Sequence, residues 1–279
     1  MADSPRGAYG LALSAPLRQH PALRDLTAPV GYLALEVVAD RARPPLSIGP
    51  GRVQITLADG SRLDAEDLGQ ARFRARLGGG PDKAPDELVH PYLAPIAALV
   101  HRWRGVPALH GAALGSPHGA LGLLGLRESG KSTTAAALVR AGLSLLIDDL
   151  IVVDQGRVLP GPLSVDLRPT GADLLGVSGE RVRGGERLRH LALAADVGPA
   201  STDLRVLVQL AFGPVTRVRT VPAGQRLAAL APHLYWPGIG TGARDLLALA
   251  ALPHLVLERP RGAAGLAEAV TVLMDRLTA

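Results

Sequence analysis

Between Tyr9 and Arg76 apolar and polar positions alternate in short runs, YGLALS, GYLALEVVAD, RVQITLADGSRLDAE and ARFRAR. This is the period-two signature of half-buried strands. Asp59-Gly60 sits between two alternating segments, a strong hairpin signal, because both residues tolerate the left-handed backbone that a tight turn needs. The reading is a small, mostly antiparallel β domain over residues 1–85, a candidate for substrate recognition. The stretch Leu77 to Glu87, LGGGPDKAPDE, has the Gly, Pro and charge of a linker.

The period then changes. From Glu87 to Arg104 the apolar residues Leu88, Tyr92, Leu93, Ile96, Leu99, Val100 and Trp103 recur at helical spacing, in spite of Pro91 and Pro95. Two apolar strands follow, ALHGAAL and GALGLLG, then a helix from Lys131 to about Ala141, then a strand LSLLIDD. Strand, loop, helix, strand is the βαβ rhythm of a nucleotide-binding domain. Downstream, LIVVDQGRVLPG reads as a hairpin around Gln155-Gly156 and LRVLVQLAF as a buried strand. The tail reads as helices near Gln225 to Leu230 and Ala243 to Ala251, a strand HLVLER and a last helix GLAEAVTVLMDRL. Val182 to Arg189, rich in Gly and Arg, reads as a surface loop or a substrate lid. Residues 86–279 therefore form the second domain, and the fold class is α/β, a mixed sheet flanked by helices behind a small β domain.

Composition narrows the functional classes. Formal net charge is +5, yet the basic residues are scattered and aromatics are only 3%, so neither a basic block nor stacking platforms for nucleic acid are present. Cysteine is absent, which excludes disulfides, thiolate metal sites and a cysteine nucleophile and fits a reducing cytoplasm. No apolar leader opens the chain. The tempting uncharged run Ala108 to Leu126 is broken by glycines, histidines and a proline, unlike a bilayer span. The expectation is a cytoplasmic protein with no nucleic-acid or membrane partner.

Of thirty basic side chains only two are lysines, Lys83 and Lys131. Lys131 falls in GLRESGKST, where Gly125, Gly130, Lys131 and Ser132 satisfy GxxxxGK[ST]. Such a loop turns successive backbone N–H groups and a helix N-terminus toward an anion, and its lysine and hydroxyl complete a site for nucleotide phosphates and Mg²⁺. The candidate nucleotide contacts are Gly125, Arg127, Glu128, Ser129, Gly130, Lys131, Ser132 and Thr133. Arginine is a poor substitute for the lysine, since the loop needs a slim point charge. Glu128 is an acid inside an anion site, for which the sequence offers two readings: Arg127 beside it offsets the charge, or both side chains point to solvent.

Asp148 and Asp149 end the next apolar run. Phosphoryl transfer to a hydroxyl needs one carboxylate for Mg²⁺ and a second to take the proton, and diverging neighbours at a strand end can serve both.

LHGAAL, GLRESGKST, LLIDD and the Pro-flanked VDLRP, spread over Val106 to Leu175, resemble the HPr kinase/phosphorylase family of P-loop kinases and its HPr-kinase-like relatives. The resemblance implies ATP and Mg²⁺ as cofactors, Asp148 as general base, Ser132 and Asp149 at the metal, and His110 close to the site. Asp166, Leu167 and Arg168 resemble the family's Glu-Ile-Arg-Gly signature, implying a metal role for Asp166 and a phosphate-facing Arg168, with Asp in place of Glu and Pro169 in place of Gly. The small β domain resembles that of kinases acting on lasso-type precursor peptides, which implies a serine hydroxyl of a peptide or small protein as acceptor. Homo-oligomers are common in the family. The residues alone leave two other functions open: an ATP-binding regulatory module without transfer, and a kinase of a small-molecule hydroxyl.

Overall fold

The computed structural model describes residues 4–15, 17–38, 47–57, 59–79, 83–178, 180–181, 188–191, 201–237 and 242–278. Eight strands build the first sheet: β1 (Arg6–Ala8), β2 (Leu11–Leu13), β3 (Arg24–Asp25), β4 (Gly31–Val38), β5 (Ser47–Gly49), β6 (Arg52–Thr56), β7 (Arg62–Asp67) and β8 (Arg72–Gly78), in the order β3-β1-β2-β4-β8-β7-β6-β5. All neighbours are antiparallel except β2–β4 and β4–β8. YGLALS is not one strand. Tyr9 (φ 57°) and Gly10 (φ 72°) both take left-handed backbone, the geometry of a two-residue hairpin turn, and β1 and β2 flank them.

The Asp59-Gly60 hairpin between β6 and β7 forms as its sequence predicts. Asp59 accepts hydrogen bonds from Ser61 N and Ser61 Oγ, at 3.0 and 2.8 Å, from Tyr92 Oη, and from Lys83 Nζ at 3.3 Å. Burial opposes its charge, but the bonds from Tyr92 and Ser61 and the Lys83 ammonium outweigh burial and lower its pKa to about 2. Tyr92 and Lys83, both C-terminal to the first sheet, are thus tied to its β6–β7 turn.

The predicted helix over 87–104 is broken in two. α1 (Pro85–Glu87) runs into a wide turn, Leu88–Tyr92, before α2 (Leu93–Trp103). His90 is extended (φ −143°, ψ 126°), because a residue preceding proline is pushed out of the helical region. That break aims the His90 side chain away from the helix stripe.

The second sheet comprises β9 (Ala108–Ser116), β10 (Gly119–Leu124), β11 (Ser144–Ile147), β12 (Leu150–Asp154) and β13 (Arg157–Leu159), joined later by β17 (Thr202–Phe212), β18 (Arg217–Thr220) and β19 (His254–Arg259). Between them lie β14 (Ser164–Leu167), β15 (Glu180–Arg181) and β16 (Leu188–Leu191), a small separate sheet. Residues 182–187 of the expected lid lie outside the described residues, and Leu188 and Arg189 belong to β16. The helices are α3 (Lys131–Arg140), α4 (Pro169–Leu175), α5 (Arg226–Leu230), α6 (Ala243–Ala251) and α7 (Ala263–Thr278). α4 and the small sheet were not legible in the apolar pattern, since their runs are short and carry charged residues among the apolar ones.

β9 carries β10 along one edge and β11 then β12 along the other, antiparallel to each. β10 and β11 therefore run parallel, with β9 between them and α3 as the crossover. β17 is parallel to β10, and β19 to β17. Four strand ends, those of β10, β11, β17 and β19, consequently open at one edge, where open α/β sheets bind ligands.

Alternation along β9 and β10 serves two cores. Leu109, Ala113, Ala120 and Leu124 join a core with α2 and the first sheet, whereas Leu114, Leu121 and Leu123 join one with Ala135 and Leu138 of α3 and Leu273 of α7. Polar ties cross the junction with the first sheet. Arg24 donates from Nε to Gly161 O (2.8 Å) and from Nη2 to Leu145 O (2.6 Å), so β3 grips the strand that delivers the aspartates. His101 Nε2 donates to Tyr9 O at 2.9 Å and its Nδ1 accepts from Arg104 at 3.0 Å. Among the described residues no helix is long and apolar enough to cross a membrane.

Candidate functional site

Residues 125–130 leave the end of β10, turn sharply and enter α3. Gly125 (φ 154°) and Gly130 (φ 89°) hold backbone that side chains disfavour. A Cβ on Gly125 would collide with Ser129 Oγ, and one on Gly130 would stand 2.8 Å from Arg259 Nη2. Lys131, buried at the start of α3, donates to the Gly125 and Leu126 carbonyls at 2.8 and 3.1 Å. The same helix end presents Ser132, whose Oγ donates to Asp148 Oδ1 at 3.2 Å.

Asp148 and Asp149 form the break between β11 and β12. Asp149 has φ 83°, a strained position of the sort found at functional sites, and this turn sends the two carboxylates apart. Asp148 is buried and also accepts from Asp166 N at 3.3 Å. Its pKa is raised to about 7, chiefly by burial and then by the neighbouring Asp149 and Asp166 charges, against the pull of the Ser132 hydrogen bond. Asp166, buried at the end of β14, completes a triangle of acids.

Two histidines face Asp149. His110 Nδ1 lies 3.1 Å from Asp149 O and 3.3 Å from its Oδ1. Since a carbonyl only accepts, Nδ1 carries the proton and Nε2 points onward. His90 Nδ1 stands 3.6 Å from Asp166 Oδ2 and 3.8 Å from Asp149 Oδ2, joining the two acids. The sequence held no periodic signal for His90; its neighbour Pro91 was the only trace of the backbone break that brings it here. Tyr9 is another unforeseen neighbour: fully buried, its hydroxyl is held well above the usual tyrosine range by burial, then by Asp149, Tyr235, Asp148 and Asp166.

Glu128, unexplained as an acid within an anion loop, has φ 67° and pairs with Arg168 at 2.8 Å, both partly or largely exposed. Its carboxylate is turned to Arg168 across the cavity. His233 is buried, its pKa lowered to about 4 by burial and then by the Lys131 and His110 charges.

A cavity of about 430 Å³ opens over these groups, lined by His110, Arg127, Glu128, Gly130, Lys131, Ser132, Thr133, Asp148, Asp149, Asp166 and Arg168. It extends to Phe212 at the end of β17 and to Arg259 and Arg261 at and beyond the end of β19, none of which the motif pattern had marked. Gly125 and Ser129, also expected at the nucleotide, do not line it, and Ser129 Oγ is buried. One basic end and one acidic end suit a ligand that is itself anionic and brings a cation.

Neither a protein-family model nor a curated protein matches the chain. Among solved structures, the HPr(Ser) kinase/phosphatase from Coxiella burnetii is similar, with 15% identity over 61% of this chain and 97% of that one, at a TM-score of 0.29.

Proposed function

We propose that the chain is an ATP- and Mg²⁺-dependent kinase of the HPr-kinase-like P-loop type, transferring a phosphoryl group to a serine-type hydroxyl of a peptide or small protein, with a ribosomally made, lasso-type precursor as the acceptor class. The observation that carries this is the meeting of Lys131, Ser132 and Arg168 with Asp148, Asp149 and Asp166 in one cavity at the ends of parallel strands.

The residues suit a hard dication. Ser132 and three carboxylates offer only oxygen, and like charges that raise the Asp148 pKa are relieved by a cation. Among the described residues no three acidic or imidazole side chains are arranged to hold a metal by themselves; Mg²⁺ would take the rest of its shell from water and substrate phosphates. Ser132, Asp149 and Asp166 would hold it. When bound, it supplies charge neutralisation at the phosphates.

The chain's own groups do the rest. Backbone N–H groups of 126–132 and the Lys131 ammonium bind the phosphate tail and stabilise charge as the γ-phosphoryl group passes. Asp148 takes the proton of the acceptor hydroxyl; the acceptor oxygen bonds to the γ-phosphorus while the bond to the β–γ bridging oxygen breaks, and ADP leaves with that electron pair. A carboxylate whose pKa sits near neutrality is suited to this task. His110 orients Asp149 through its Nδ1 proton, and Arg168 faces the phosphates once released from Glu128.

The test is incubation of purified protein with ATP, Mg²⁺ and serine-containing peptides encoded by neighbouring genes, read by mass spectrometry. The expected result is a gain of one phosphoryl group, lost in Asp148→Asn. Undiminished transfer by a folded Asp148→Asn protein removes the base assignment, and nucleotide binding without transfer to any hydroxyl removes the kinase.

A further inference from the structure

Arg259 is buried, 3% exposed, next to the glycine-framed loop, with its Nη2 close against Gly130. Among the described residues its buried Nε has no hydrogen-bond partner, and its Nη1 reaches only the Pro260 carbonyl, at 3.1 Å. The Arg261 guanidinium lies 4.0 Å from the centre of the Phe212 ring and that of Arg259 4.9 Å from it. Two cations therefore share one aromatic ring, and among the described residues no carboxylate pairs with either. Buried positive charge without a counter-charge is costly, and Arg261 adds to burial in lowering the Arg259 pKa. Such an arrangement asks for an anion, and an exposed guanidinium on a ring offers a flat stacking face.

The sheet order says which part of a nucleotide lies there. The acids follow β11, on the far side of β9 from β10, whereas Phe212 and the arginines end β17 and β19, on the other side of β10. A nucleotide whose terminal phosphate faces the acids must send its nucleoside end the opposite way. Resting on the kinase reading, we infer that Phe212, Arg259 and Arg261 form the nucleoside half of the nucleotide site, with the base stacked on Arg261 and the Arg259 charge set against the phosphate next to the ribose. Because stacking reads a face rather than an edge, this wall discriminates weakly among bases.

Binding of ATP and of inorganic tripolyphosphate, each with Mg²⁺, to the full chain tests this. Arg261 is exposed, so Arg261→Ala should keep its melting temperature. The wild type should bind ATP more tightly than tripolyphosphate, and Arg261→Ala should bind ATP about tenfold more weakly with tripolyphosphate affinity within about twofold. Equal loss for both ligands, or loss for neither, overturns the stacking wall while leaving the phosphate loop standing, which Lys131→Ala checks by losing both. A wild type that binds neither ligand removes the kinase reading and the wall together.

Discussion

Ser132 Oγ donates a hydrogen bond of 3.2 Å to Asp148 Oδ1, joining the first turn of α3 to the break after β11. The residue at the helix start and the residue at the strand end thus share one proton and one side of the cavity. Ser132→Ala should lower phosphoryl transfer by about a hundredfold or more, since it removes a metal-binding hydroxyl and the donor that steadies the base. Steady-state kinetics across a Mg²⁺ series should show the loss growing as Mg²⁺ falls.

Asp148 also sets a stability test. Its folded pKa, about 7, lies above the ordinary carboxylate value, so the native state holds the proton more tightly than the unfolded chain. Its contribution is complete below about pH 4 and is lost as pH rises through about 7. In chelator, Asp148→Asn should therefore unfold at a higher temperature than wild type at pH 8 and at a similar one at pH 4. Added Mg²⁺ should narrow the gap at pH 8 by stabilising the wild type more than the variant, since only the wild type carries the Asp148 charge beside Asp149 and Asp166.

His101 has the opposite sign. It is fully buried and neutral, and burial followed by Arg104 lowers its pKa to about 3. Its contribution is present above about pH 6.5 and is lost as pH falls toward about 3. His101→Leu should cost stability at pH 7, because Tyr9 O loses its donor. Its stability should fall less steeply between pH 6 and 4, by up to about 1.4 kcal/mol per pH unit, measured by urea titration.

Arg24 joins the two sheets by main-chain hydrogen bonds to Gly161 and Leu145, and burial lowers its pKa to about 10. Arg24→Met keeps the apolar stem and removes the donors, leaving buried carbonyls unpaired. A loss of about 2–3 kcal/mol is expected in urea, with a drop in transfer larger than that of nucleotide affinity, because β11 carries Asp148 and Asp149.

Glu128 and Arg168 form a largely exposed pair, worth little to stability. Glu128→Gln should change the unfolding midpoint hardly at all yet tighten ATP binding severalfold, by removing a negative charge at the cavity and freeing Arg168. Unchanged or weaker affinity in calorimetry would separate Glu128 from nucleotide entry.

Local chemistry was legible from the sequence alone. Alternation marked β4, β6, β7 and β8, Asp59-Gly60 marked its hairpin, and the spacing from Gly125 to Ser132 marked a loop between strand and helix. Those signals depend on neighbours along the chain, through backbone conformation and side-chain period. Tertiary structure decided what lies opposite the loop. His90 reaches Asp149 and Asp166 because Pro91 breaks a helix and β14 happens to end nearby; Tyr9 is buried near the acids because its hairpin turn is wedged against Pro160. Phe212 and Arg259 approach Gly130 because β17 and β19 stack in parallel beside β10, from about eighty to a hundred and thirty residues away. No period along the chain records such distances, since parallel pairing is set by burial of both sheet faces rather than by local propensity.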